Sequence, residues 1–275
     1  MTITNVLLHL DRDARNRERE KVAFNLARTF QSHVTGLFIL PPPPAFGYAD
    51  AYVADEIIRR HRAQAQADAN KLQGEFEHNA KAAAIASEFR LEEGQDFRII
   101  AFQSRYADLI VVGQSDPDDA TDYRAYNLPE EVVMIAGRPM LTVPYAGTFD
   151  SIGKRVMVAW NASRESARSL SDAMPFLKKA EHVDIYCVNP PDTKQHIPGA
   201  DIATHLARHG VTVEAHHTIA KDVDAGNALL SAAYDLSSDL IVMGAYGHTR
   251  LRELALGGVT RYLLRHMTVP VLFSH

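Results

Sequence analysis

The chain has 275 residues, 46% hydrophobic and 23% charged, with a formal net charge of -5, and its mean hydropathy of -0.18 is that of a globular protein with a substantial core, which excludes disordered and fibrous classes. The acidic balance offers no cationic field to a phosphate backbone or an anionic membrane, so neither nucleic acid nor a lipid surface is an expected partner. The length admits one large α/β domain or two of ordinary size.

The segment Met1 to Leu10 lacks the basic n-region of a signal peptide and turns charged at Asp11. No apolar run approaches the ~20 residues of a membrane span, so a cytoplasmic location is expected. Val6 to Asp11 reads as an apolar strand ending on a polar residue, and the sign-alternating run Asp11 to Glu20 reads as a solvated helix face. After the stiff stretch Pro41 to Pro44 the spacing predicts a long helix over 49–80, rich in Ala, Gln and Arg, whose surface faces solvent or a partner. Ala107 to Gly113 is a buried strand, and the Pro-containing run Arg138 to Pro144 closes the first half. Tyr145 to Gly153 is a short Gly- and Ser-bearing linker, dividing the chain into domains 1–147 and 152–275.

In the second half apolar runs alternate with helical periodicity: strand 154–160, helix 163–179, strand 182–188, helix 199–209, strand 211–218, helix 222–236, strand 239–243, helix 249–266, strand 269–274. Strands without polar alternation, separated by helices, predict a parallel sheet covered on both faces. The sole cysteine, Cys187, lies inside such a run, which excludes an internal disulfide and reads as a core thiol.

The two halves repeat each other. Ala107-Asp108-Leu109-Ile110-Val111-Val112-Gly113 recurs as Ser238-Asp239-Leu240-Ile241-Val242-Met243-Gly244, a displacement of 131 positions, 239 minus 108. The expected architecture is therefore two tandem doubly wound five-stranded α/β sheets with helices on both faces.

Such sheets bind ligands beyond the carboxyl ends of their strands, where helix N-termini point unpaired N–H groups outward. At that place in the second half, Gly244 and Gly247 stand three apart, followed by nine residues, the pair Gly257-Gly258, then Val259 and Thr260. Glycine lets backbone amides approach a phosphate without a Cβ in the way. The start of the helix near Gly257 favours the same anion, and Thr260, His248, Arg250 and Arg261 add donors or charge. On spacing alone a second reading stands equally, in which the glycines only cap and kink a helix. Neither a P-loop nor a dinucleotide fingerprint is present.

The run Asp239 to Phe273 resembles the closing third of the universal stress protein family, whose nucleotide-binding members carry Gly, two residues, Gly, nine residues, Gly, then Ser or Thr. Gly244, Gly247 and Gly257 match; Gly258 stands where a small hydroxyl is usual, removing one donor worth about 1.5–3 kcal/mol, or roughly 10- to 150-fold in affinity. The resemblance implies an ATP or AMP site, with Mg²⁺ from solvent, in a regulatory protein of the stress response. Members place an acidic residue after the first strand and a valine at the end of the second around the adenosine, positions that resemble Asn161 and Val188. The implied site is completed by the neighbouring strand-end residues Ala159, Trp160 and Met243, with Trp160 either packing its ring or contacting the base. The family often pairs through its last strand, so the fused halves are expected to form an internal pseudo-dimer and two chains to pair again. In the first half Gly113 is followed by no second glycine but by Asp116, Asp118, Asp119 and Asp122, whose charge would repel a phosphate. One nucleotide per chain is expected.

His205 and His209 fall at i, i+4 on a predicted helix, near His216 and His217, a spacing that serves either a metal or an exposed face. No base to activate water is identified, so at most slow hydrolysis or autophosphorylation is implied. The alternatives are a scaffold with a structural glycine loop, or a metal-dependent or adenylating enzyme, which the missing Ser-Gly-Gly-x-Asp-Ser loop disfavours.

Overall fold

A computed structural model of the chain describes residues 2–13, 15–42, 51–116, 127–190, 198–220, 223–246 and 258–275, with only backbone for 51–55. The first half runs β1 (Asn5–Leu10), α1 (Asn16–Phe30), β2 (His33–Leu40), α2 (Ala51–Ala82), β3 (Ser87–Glu93), α3 (Asp96–Gln103), β4 (Leu109–Gly113), α4 (Leu128–Ile135) and β5 (Met140–Val143). The second runs β6 (Arg155–Ala159), α5 (Arg164–Leu177), β7 (His182–Val188), α6 (Ala200–Arg208), β8 (Val213–Thr218), α7 (Ala225–Asp235), β9 (Leu240–Gly244), α8 (Gly258–His266) and β10 (Val271–Ser274). The predicted strands fall on observed ones, and α2 occupies 51–82 against the expected 49–80. Of the expected helix over 249–266, the part before Gly258 lies outside the described residues.

The strand order is β3-β2-β1-β4-β5-β10-β9-β6-β7-β8, so the two halves have the same doubly wound order and join in one ten-stranded sheet. Every pairing is parallel except the seam, where β10 runs antiparallel to β5 with Leu272 opposite Leu141. Successive side chains of a strand point to opposite faces, and each face carries one core crossing the seam. Leu8, Val111, Leu141, Leu272, Val242 and Val158 lie on one side. Leu7, Ile110, Met140, Phe273, Ile241 and Met157 lie on the other. Phe30 of α1 packs edge-on against Phe176 of α5 at 5.1 Å, tying the halves together off the sheet.

The repeated aspartate does the same work twice. Asp108 accepts from the Thr4 and Asn5 amides at 2.8 and 3.0 Å, where β1 begins. Asp239 accepts from Gly153 and Arg155 at 2.9 and 3.0 Å, where β6 begins. Each carboxylate satisfies edge amides that would otherwise be left without acceptors. Cys187 is buried in the core, where desolvation pushes its thiol above the ordinary range.

The charge run Asp11 to Glu20 is only in part the solvated face that its alternation predicts, with Arg12 and Arg17 exposed. Arg19 and Glu20 of α1 are buried at 3% exposure each. The guanidinium of Arg19 hydrogen-bonds to Asp11 and to Asn16 and lies 3.6 Å from Asp13. Alternating sign along a helix does not distinguish water from an internal ion pair, since both satisfy charge. Beside this group lies His9, 5% exposed, with Nδ1 buried and 4.0 Å from Asp11. Burial lowers its pKa from 6.5 to about 4, Asp11 opposing the shift and Arg19 adding to it.

Because His9 stays neutral in the folded chain while the unfolded chain protonates it, its contribution is complete above about pH 6.5 and is lost as pH falls toward 4. We expect a loss of roughly 3 kcal/mol from this group across that window. Urea unfolding as a function of pH, compared between the native chain and His9→Leu, checks it: the variant's stability should fall less steeply over that range.

Candidate functional site

At the carboxyl ends of β6, β7 and β9 the chain leaves a cavity of about 220 Å³. It sits at the switch point of the second half, where β6 neighbours both β7 and β9 and the crossovers depart in opposite directions, parting the loops above the sheet. Ala159 and Trp160 line it from the end of β6 with Asn161 beyond, Val188 from β7, Met243 and Gly244 from β9, and Gly258, Val259 and Thr260 from the start of α8. These nine predicted site residues thus meet in one place. The remaining predicted residues Gly247, His248, Arg250 and Gly257 lie outside the described residues.

Five further lining residues escape the sequence reading: Ser166, Tyr186, Ala225, Leu229 and Tyr246. Ser166 and Ala225 stand in the first turns of α5 and α7, so with α8 three helices begin at this cavity. The first amides of a helix lack intrahelical partners, and its dipole is positive at that end, so three such ends at one mouth favour an anion. Serine at 163 and Asp224, each preceding an apolar helical period, signal those helix starts. Ser163 accepts from the Ser166 amide at 3.1 Å and Asp224 from the Gly226 amide at 2.7 Å.

The glycines divide into two roles. A Cβ on Gly244 would lie 2.3 Å from the carbonyl carbon of Glu165 and 2.5 Å from the Ser166 nitrogen. Gly244 therefore exists so that the first turn of α5 can press against the exit of β9. Among the described residues, a Cβ on Gly258 would meet nothing within 4 Å.

Two amides near the mouth are engaged by the protein. Ala245 donates to the Ser274 carbonyl at 2.8 Å, and Tyr246 donates to Thr260 Oγ1 at 3.3 Å. Thr260, 3% exposed, thus joins the strand exit to α8 and keeps its own hydrogen to donate. Tyr246 holds a left-handed φ of 59°, a conformation costly for a bulky residue. Its phenol is buried, and desolvation, reinforced by Glu130 and opposed by Arg261, pushes its pKa up to about 12. Asn161 is exposed, and its Oδ1 accepts from the Ser163 amide at 3.1 Å. The acceptor expected to face a ligand is thus shared with the turn into α5. Trp160 packs against the core, as the first of its two sequence readings has it, and also lines the cavity.

The corresponding place in the first half is filled. Val6 pairs with Leu109 as Val156 pairs with Leu240, which sets Asp11 opposite Asn161 and Gly113 opposite Gly244 in the two registers. A Cβ on Gly113 would lie 2.0 Å from Nη1 of Arg19. The remaining space is about 50 Å³, bordered by His9, Asp11, Arg19 and Asp116. The carboxylates Asp118, Asp119 and Asp122, which sequence reasoning held responsible for losing the site, lie outside the described residues. The described obstacle is an internal cation already paired with Asp11.

His205 and His209 stand on the exposed end of α6 with ring centroids 4.8 Å apart. Among the described residues no helix is long and apolar enough to cross a membrane.

Residues 153–275 match the universal stress protein family. A universal stress protein of Synechocystis sp. is 42% identical over 48 residues, which span 18% of this chain and 17% of that protein's length. The solved universal stress protein of Archaeoglobus fulgidus superposes with a TM-score of 0.73 at 19% identity, covering 99% of this chain and 96% of that one. A protein of unknown function from Pseudomonas aeruginosa superposes at 0.63 with 14% identity, covering 99% and 92%. The tandem fold is therefore shared end to end with a solved universal stress protein, and the second half of this chain, residues 153–275, belongs to the universal stress protein family.

Proposed function

We propose that the cavity at the ends of β6, β7 and β9 binds an adenine nucleotide, ATP or AMP, and that the chain is a nucleotide-responsive regulator of the stress response. The observation that carries this reading is the start of three helices around one part-apolar cavity at the switch point. Base and ribose suit the walls formed by Val188, Met243, Leu229 and Tyr186. The enclosed volume of about 220 Å³ is below the ~300–1,000 Å³ usual for whole small ligands, so the phosphates would lie over the mouth, toward the start of α8. Mg²⁺, where ATP is bound, would come with the nucleotide.

In this reading the chain divides into domains 1–147 and 152–275, the first keeping the fold with a degenerate site closed by Arg19. The antiparallel β5–β10 seam makes one chain a pseudo-dimer. Both last strands are engaged inside the chain, so a second chain would pair elsewhere. A scaffold without nucleotide is the competing reading, favoured by the packing role of Gly244.

Two measurements test the proposal. Calorimetric titration of the full chain with ATP and with AMP should give one site per chain; two equivalent sites would refute the closed site of the first half, and no binding together with no nucleotide in an acid extract of the native protein would leave the scaffold. Position 258 provides a graded test because a side chain there meets none of the described residues within 4 Å of its Cβ. Gly258→Ser should tighten nucleotide by up to roughly 10- to 150-fold. Gly258→Asp should weaken it through repulsion of the phosphates while leaving the melting temperature nearly unchanged.

A further inference from the structure

Away from the cavity mouth, β7 and β8 bring four side chains with metal-ligand chemistry to one face at the edge of the sheet. Asp184 pairs with Glu214 in the parallel register, and residues two apart on a strand share a face. His182 and Asp184 of β7 therefore stand beside Glu214 and His216 of β8. Neither the cavity nor the seam uses them.

The geometry is convergent. The Nε2 atoms of His182 and His216 lie 3.1 and 2.8 Å from the same oxygen, Asp184 Oδ1. His216 Nε2 is also 4.0 Å from Glu214 Oε2. Ligand atoms of His182, Asp184 and Glu214 all fall within 4.8 Å of one another. Around a zinc ion with bonds of about 2.0–2.1 Å, tetrahedral ligand atoms stand about 3.3 Å apart.

A second observation points to a cation. Asp184 is 0% exposed, and its Oδ2 is buried with no hydrogen-bond partner among the described residues. A buried carboxylate is costly unless its lone pairs are matched, and two imidazoles on one oxygen leave the other unmatched. The side chains of His182, His216 and Glu214 are 25%, 33% and 64% exposed, forming a graded path from water to Asp184.

We propose that His182, Asp184, Glu214 and His216 form a binding site for a transition-metal dication of the zinc class. Imidazole with carboxylate suits zinc and its neighbours and disfavours the all-oxygen preference of Mg²⁺ and Ca²⁺. On binding, the ion takes the place of the two Nε2–H groups now facing Asp184: each ring carries its proton on Nδ1, the Nε2 proton being exchanged through or released to solvent, and turns the Nε2 lone pair to the ion. The ion would clamp the edge strand β8 to β7. The site is independent of the nucleotide reading, although Tyr186, which lines the cavity, stacks on His216 with centroids 6.5 Å apart.

The test uses the full chain, stripped with chelator and free of nucleotide, titrated with ZnCl₂ near neutral pH. The expected result is one zinc per chain at micromolar or tighter affinity, a zinc-dependent rise in melting temperature, and visible absorption of a four-coordinate ion when Co²⁺ is substituted. His182→Ala and His216→Ala should each weaken binding beyond the roughly 10- to 100-fold typical of losing an outer partner of a ligand. The pair His205→Ala with His209→Ala should leave it unchanged. Asp184→Asn alters a fully buried group and can cost folding, so the partly exposed His216→Ala, with native circular dichroism, decides the matter. No saturable zinc binding below millimolar, binding unchanged in His216→Ala, or binding lost in the His205 and His209 variant would each overturn the proposal.

Discussion

The arrangement on which the rest depends is the adjacency of β6 and β9, two parallel strands whose crossovers leave on opposite sides. Parallel strands end together, and departing connections cannot cover the gap between them, so a crevice at that edge follows from topology before any side chain is chosen. Helices after such strands start at the same edge and direct the positive ends of their dipoles there. Gly244 then sets how near the first turn of α5 can come, since any Cβ would strike backbone at 2.3 Å. What remains is a small cavity with apolar walls and a mouth ringed by helix starts.

The first half has the same topology and reaches the opposite outcome. Its glycine at the strand exit, Gly113, faces the guanidinium of Arg19 where Gly244 faces backbone. Arg19 pairs with Asp11, which holds the register position of Asn161. Desolvation raises the Asp11 carboxyl, but Arg19 and His9 together hold it below its ordinary range. An internal ion pair thus occupies the place that corresponds to the crevice of the second half. The cost of burying charge is offset within the group.

The antiparallel seam has a directional consequence. With β5 and β10 opposed, the carboxyl edges of the two half-sheets face opposite ways. The open crevice of the second half and the filled one of the first therefore lie at different ends of one sheet. The cores nevertheless run continuously beneath both, through Leu141 and Leu272 on one face and Met140 and Phe273 on the other.

Much of this was legible in the amino-acid order. Uninterrupted apolar strands, helical periodicity between them and the recurrence of Ala107 to Gly113 as Ser238 to Gly244 determined a doubled parallel α/β chain, because hydrophobic period and repetition are local properties that survive without coordinates. The Gly244 to Thr260 spacing likewise located the crevice, since glycine and helix-start residues mark backbone constraints at their own positions. Tertiary structure alone decided what depends on distance between remote side chains: that Arg19 turns inward to Asp11, that Tyr186 and Leu229 wall the cavity, and that His182, Asp184, Glu214 and His216 converge. A charge alternation reads the same beside water or beside a buried counter-ion, and ligands on neighbouring strands are separated by the whole intervening helix. Only packing determines which of them meet.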